Sequence, residues 1–153
     1  MAVSFLVEDA IIGMKNFEGR PTPINKAGGD RSFVVYLDEE RAQELLKEGW
    51  NVKWPKPRPE VDPEEDNRRP FLPVTVAFQI PPKIYIVNTI GETQLVRLEE
   101  EDVASLDWDE FERVDLKIRP YHWTVKKDTG VKAYLEEGFF TLQKSGFSDR
   151  YGV

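Results

Sequence analysis

Among its 153 residues the sequence has no cysteine and a single histidine. Disulfides, thiolate zinc sites, cysteine nucleophiles and metal centres built from clustered His and Cys are therefore all excluded. The one histidine, His122, lies between Tyr121 and Trp123, and no G-x-S-x-G elbow accompanies it, so a structural role is expected for it. Walker A and Rossmann glycine fingerprints are missing, and Gly28-Gly29 marks only a turn. The carboxylate run Glu99, Glu100, Glu101, Asp102 lacks the spacing of an EF-hand. No enzyme activity, cofactor or metal is expected. No apolar run approaches the ~20 residues of a membrane span, and the N-terminus lacks the basic region and cleavage signal of a secretory peptide. A soluble chain is expected, and the lack of cysteine suits a reducing cytoplasm.

What is present is a globular composition, with 40% hydrophobic, 12% aromatic and 32% charged residues. The length suits one domain spanning 1–153, with a loop excursion at 55–70 and a short tail at 143–153. Net charge is −7, which argues against an anionic partner until its distribution is read. Between Glu92 and Glu112 stand nine acidic residues and one basic residue, Arg97, a local balance of −8, so the remainder carries +1. Between Leu116 and Leu135, Lys117, Arg119, Lys126, Lys127 and Lys132 stand against Asp128 alone, a balance of +4. Binding follows the potential over a surface, so a basic groove on an acidic protein is allowed.

That basic region is the chain's organising stretch. Residues 114–142 alternate apolar and polar on both sides of a turn expected at Lys127, Asp128, Thr129 and Gly130, the pattern of a β-hairpin. Strand alternation puts Lys117, Arg119, Tyr121 and Trp123 on one face and Leu116, Ile118 and Pro120 on the other. A loop of even length brings Lys132 and Tyr134 to the first face and turns Val131, Ala133 and Leu135 inward. Cations interleaved with flat rings suit an unpaired nucleic acid strand, whose phosphates need Lys and Arg and whose bases need stacking surfaces. The same pattern also suits ordinary cross-strand aromatics on a solvated sheet.

The remaining elements follow in order. Residues 3–17 read as a strand bent near Gly13, and residues 18–31 as a loop carrying Arg20, Lys26 and Arg31. Residues 32–37 form a strand, and Asp38 caps a helix whose buried stripe is Ala42, Leu45 and Leu46, ending at Gly49. In WNVKW, Trp50, Val52 and Trp54 share one face of a predicted strand, with Trp50 assigned to the core and Trp54 to core or stacking surface alike. A long Pro-rich loop then leads to a strand over 71–80. Strands at IYIV and QLVRL follow to complete an antiparallel meander. Glu99 to Asp102 open a short helix that buries Val103 and Leu106, with Trp108 and Phe111 packed beneath it. Six or seven strands, two short helices and no βαβ rhythm predict a mainly β fold, an OB-like antiparallel β-barrel.

The ordered set GDRSFVVYLDEE (29–40), EGWNVKW (48–54), PPKIY (81–85), VDLKIRPYHW (114–123) and GVKAYL (130–135) resembles a family of bacteriophage single-stranded DNA-binding proteins over roughly Met14 to Tyr151. The resemblance implies an OB-fold protein serving phage DNA replication or recombination in the cytoplasm of the infected host. Single-stranded DNA would be its partner, with replication or recombination proteins as further partners. One departure is the end, SDRYGV at 148–153, where many single-stranded DNA-binding proteins carry an acidic tail that recruits replication partners. Strand alternation and charge nominate Arg119, Lys126, Lys127 and Lys132 for phosphates and Tyr121, Trp123 and Tyr134 for bases, with Lys15, Asn16, Phe17, Arg31, Lys53 and Trp54 as further candidates. Two other classes stay open, a protein-interaction module acting through the acidic surface 92–112 and a Mg²⁺-dependent nuclease using clustered carboxylates.

Overall fold

The computed structural model describes residues 3–23, 26, 28–56, 59, 60, 62, 68–89 and 92–143. Half of the charged Pro-rich loop at 55–70 and the tail from 144 onward therefore lie outside the described residues, and with them the expectations that concern those segments. Among the described residues no helix is long and apolar enough to cross a membrane.

The fold is mainly β: β1 (Phe5–Val7), β2 (Ile12–Asn16), β3 (Arg31–Tyr36), α1 (Glu39–Lys47), β4 (Phe71–Val76), β5 (Lys83–Asn88), β6 (Gln94–Leu98), a 3-10 helix (Glu100–Asp107), β7 (Phe111–Val125) and β8 (Asp128–Leu142). One eight-stranded sheet holds every strand, in the order β1-β7-β8-β4-β3-β2. The β5–β6 pair joins that path through β8. Among the described residues no strand pair closes the path, yet its two ends, β1 and β2, are separated in sequence only by residues 8–11.

The hairpin forms as its alternation requires, with each arm 15 residues long. Its turn is Lys126-Lys127 rather than the four residues from Lys127, since Val125 pairs directly with Asp128. Lys126 takes φ +57, the left-handed conformation that lets a two-residue turn match the strand twist. Both loops are even in length, so the register slides but the faces keep their identity. Leu116, Ile118, Val131, Ala133 and Leu135 are all buried.

The other edge of β8 serves three partners in succession. Asn51 N–H donates to the Val131 carbonyl at 3.1 Å, and Val131 N–H donates to the Gly49 carbonyl at 3.0 Å. β4 pairs in parallel at Ala133 and Tyr134, and β5 pairs in parallel from Glu137 to Thr141. The predicted antiparallel meander is thus replaced by two parallel pairings on β8, with only β5–β6 remaining antiparallel. Residues 50–54 do not form a strand. Trp50 bridges to Val131 and Lys53 to Phe71, so this segment fills the gap where β4 and β8 diverge.

Local chemistry accounts for α1. Asp38 Oδ1 accepts the Arg41 N–H at 2.7 Å, a cap worth about 1 kcal/mol, and Gly49 at φ +95 ends the turn. Ala42 and Leu45 are buried, whereas Leu46 is exposed, so the stripe is narrower than predicted. The strand predicted over 71–80 stops at Val76, leaving Ile80 exposed, and Trp108 is 72% exposed rather than packed beneath the 3-10 helix. Phe111 does join the core, tilted against Phe140 at 5.2 Å. Phe17 stacks on Phe33 at 5.2 Å and meets Phe140 edge-on, and burying each such ring contributes roughly 1.5–3 kcal/mol.

The turn between β1 and β2 is tied to β7 by Asp115. Its Oδ1 accepts the N–H of Asp9, which sits at φ +51, at 2.9 Å, while Arg113 Nε donates to both carboxylate oxygens. Burial alone would raise the Asp115 pKa, but the hydrogen bonds from Arg113 and Asp9 outweigh it and hold the carboxyl below the usual carboxylate range. The stability Asp115 contributes is therefore complete above that range and is lost as pH falls through the lowered folded value. Asp115→Asn is expected to lower the urea midpoint at neutral pH and to flatten its acid limb. An unchanged acid limb would show that the tie carries no linkage.

Candidate nucleic-acid interface

The outward faces of four strands assemble one surface. Across β3, β4, β8 and β7, Ser32 pairs with Thr75, Thr75 with Tyr134, and Tyr134 with Arg119. Partners directly opposite in a sheet present their side chains to the same side, so this row crosses the sheet on the face away from the core. Tyr121 lies opposite Lys132 and Trp123 opposite Gly130, which continues the face toward the hairpin tip. On the β4 side, Lys53 lies opposite Phe71.

The aromatic groups pack against one another and against the strand. Tyr121 and Tyr134 stack with centroids 5.1 Å apart and planes 9° from parallel, and the Arg119 guanidinium sits over Tyr134 at 4.9 Å. Tyr134 is thereby engaged by both neighbours, while Tyr121 stays 47% exposed. Trp123 rests on the strand at Gly130, where an added Cβ would lie 2.5 Å from its Cζ2. Arg119, Lys126, Lys127 and Lys132 have no ion-pair partner among the described residues. By contrast, Lys117 at the base of the hairpin is tied to Glu136 at 2.8 Å, and that hydrogen bond and charge raise its pKa.

Two adjoining grooves extend this face. One, of about 410 Å³, is lined by residues including Asn51, Pro73, Lys132 and Tyr134. The other, of about 450 Å³, runs on to Phe78, Gln79 and Glu100. Asp30, Arg31, Thr75 and Tyr134 line both.

The structure brings seven of the nominated residues onto the hairpin: Arg119, Tyr121, Trp123, Lys126, Lys127, Lys132 and Tyr134. Arg31 stands in the grooves and Lys53 on the same face. The other candidates are engaged elsewhere. Phe17 is wholly buried, so it leaves the candidate set as a core residue. Lys15 Nζ donates to the carbonyls of Leu106 and Asp109 at 2.7 and 2.9 Å, where it caps the end of the 3-10 helix. Asn16 closes the Arg20 turn through two hydrogen bonds. Trp54 Nε1 donates to Glu39 at the start of α1, and hydrogen bonds from Gln43 and Trp54 hold the Glu39 carboxyl below its ordinary value. Sequence reasoning missed Ser32, Asn51, Pro73 and Thr75. The signal was present in the alternation of residues 71–76, where Phe71, Pro73 and Thr75 are the positions left over by the core face of Leu72, Val74 and Val76.

These features define a class: a mainly β protein with a basic, aromatic sheet face. A family model described as "Putative phage ssDNA-binding domain" matches residues 2–153, and the chain belongs to that family. Three solved structures share its fold, all of the single-stranded DNA-binding protein from bacteriophage Enc34. A C-terminal truncation aligns at 11% identity and TM-score 0.53, covering 93% of this chain and 87% of that one. A second structure aligns at 15% and 0.51, covering 97% and 89%. A third, in complex with ssDNA, aligns at 14% and 0.52, covering 94% and 89%. No curated protein matches the sequence.

Gly130→Ala is expected to lift the Trp123 indole off the strand at a cost of about 1 kcal/mol. The Trp123 indole N–H resonance should shift, and a resonance that stays in place would show that the ring is not seated on Gly130.

Proposed function

We propose that this chain binds single-stranded DNA without sequence preference across the outward face of β3, β4, β8 and β7, protecting exposed strands during phage replication or recombination in the host cytoplasm. The observation that carries this reading is the pre-stacked Tyr121–Tyr134 pair beside four cations, Arg119, Lys126, Lys127 and Lys132, that have no ion-pair partner among the described residues. Family membership and the solved neighbour in complex with ssDNA support it. Phosphates would meet the cations, while Tyr121 and Trp123 offer their free surfaces to bases. Tyr134 acts chiefly by holding Tyr121. No catalysis and no cofactor are proposed, and the whole chain is treated as one domain.

The same reading includes an OB-like barrel. β1 and β2 act as one bent segment, pairing β7 through its first half and β3 through its second. Counted that way, about five segments form the partly open barrel of an OB fold, with β5 and β6 as an inserted hairpin. OB folds carry oligonucleotides on the face of their second and third strands, between the loops after the first and fourth. By this count those strands are β3 and β4, and those loops are residues 17–30 and the turn at Lys126-Lys127.

Fluorescence anisotropy of labelled oligo-dT tests the proposal. Tyr121→Ala and Trp123→Ala should each weaken binding by roughly 1–3 kcal/mol, and Arg119→Glu should reduce the salt slope by about 0.7 or more. Binding that persists in all three variants would move the site, and affinity indifferent to salt would overturn the mechanism.

A second reading is favoured by Trp108, 72% exposed within the acidic stretch 92–112: this surface would receive a basic protein partner, such as a replication or recombination protein. Charge reversal there should abolish partner capture and leave oligo-dT binding intact.

A further inference from the structure

The groove that continues past Tyr134 ends at a carboxylate already holding a groove cation. Arg31 Nη1 lies 3.2 Å from Glu100 Oε1. Its Nε donates to the Phe17 carbonyl at 3.0 Å, and its guanidinium sits 5.3 Å over the Phe78 ring. The backbone bond and the ring fix the plane of the guanidinium, so its Glu100-facing edge is aimed regardless of what occupies it. The Arg31 side chain is 23% exposed and the Glu100 side chain 55%. The anchor is therefore held in place, and the acid is its solvent-facing, replaceable partner. Both residues line the groove that Thr75 and Tyr134 connect to the hairpin face.

Building on the single-stranded DNA reading, we infer that Arg31 is a backbone-phosphate subsite which Glu100 occupies in the free protein, so that the 3-10 helix competes with the strand for the end of its own groove. A carboxylate and a phosphate oxygen offer a guanidinium the same charge-assisted hydrogen bonds. Exchange costs little, because an ion pair whose acid faces solvent contributes little on its own. While Glu100 is in place, a phosphate at Arg31 must displace an anion already present, and the usual release of a counterion is lost at that position. Asp30 and Arg31 line both grooves, and Glu100 stands at this end where Lys132 stands in the other, so the end of the path is more acidic than its centre.

The test is a salt-dependent oligo-dT titration of the full chain, with Glu100→Gln, Glu101→Gln and Arg31→Ala, and with Glu100→Gln combined with Arg31→Ala. Glu99 and Asp102 form the capping box of the 3-10 helix, so neither single Gln variant touches it, and matched thermal melts verify the fold. Glu100→Gln should tighten binding about two- to five-fold at low salt and steepen the log-log slope by about 0.7. Glu101→Gln, which alters a neighbouring acid without touching Arg31, should leave both unchanged. The gain should vanish in the Arg31→Ala background. An equal gain from Glu101→Gln, or a gain that survives without Arg31, would reduce the effect to general charge and overturn the inference. Wild-type binding with no response to Glu100→Gln would overturn the subsite alone, whereas a wild type that binds no single strand would overturn the function and the subsite together.

Discussion

The structure depends on how β8 divides its hydrogen-bonding edges. One edge is committed to β7, and the other is shared in turn by residues 49–51, β4 and β5. A strand has one edge on each side, so three partners can share an edge only if each takes a short section and leaves. β4 takes two residues, which forces it to diverge from β8 and opens a gap that Trp50 to Lys53 fill with isolated bridges. Divergence of paired strands is also what makes a groove on the outer face. Asn51, Thr75, Lys132 and Tyr134 line it because they flank the place where the ladder parts. The core side of the same strands stays continuous, with Val74, Ala133 and Leu135 nearly inaccessible.

Elements set by local rules were legible in the sequence. The Asp38 cap, the Gly49 stop and the two faces of the hairpin each rest on a few neighbouring residues and a fixed period. The hairpin faces survived even a misplaced turn, because sliding the register by an even number of residues preserves which side chains share a side. Long-range choices were not legible. WNVKW alternates as a strand should, but β8 offers it a single bridging position. The strands at 71–76, 83–88 and 94–98 look like a meander, because nothing local records that β8, far along the chain, will separate β4 from β5. The candidate site was legible to the same extent. Its hairpin half follows from alternation, while its β3–β4 half depends on a parallel pairing that no short motif announces. Phe17 shows the converse: an aromatic beside Lys15 and Asn16 looks like a contact residue, and only the tertiary packing of Phe33 and Phe140 around it shows otherwise.

Charge segregation along the sequence becomes segregation in space with a few deliberate contacts. The acidic stretch meets basic residues at Arg31–Glu100, at Arg20 beside Asp107, and at the carbonyl end of the 3-10 helix capped by Lys15. The Asp107 carboxylate also accepts the backbone N–H groups of Phe17 and Glu18. The stretch is therefore part of the fold as well as a source of negative potential. Lys126 and Lys127 escape this neutralisation at the tip of the ribbon, where β8 before Val131 pairs with β7 alone, and screening over about 8–10 Å at moderate salt weakens the pull of more distant acids.

A surface that stacks bases must avoid spending the binding free energy on ordering its own rings. Fixing a mobile side chain costs roughly 0.5–1.5 kcal/mol, comparable to what a stacked base returns. In this protein the cost is met during folding. Tyr134 is positioned by its pairing with Arg119 on one strand and Thr75 on another, and it then holds Tyr121 parallel to itself, while Gly130 leaves room for Trp123 to lie against the strand. The most exposed ring of the stacked pair, Tyr121, is thus ordered by the less exposed one. This division of labour follows from the cross-strand diagonal: Tyr121 sits opposite Lys132, and Tyr134 opposite Arg119, so each ring stands beside a cation without sharing its position. On the proposed reading, alternating rings and charges along two paired strands would place phosphate and base contacts at a spacing a flexible single strand can follow, with no hydrogen-bonding edge that would read sequence.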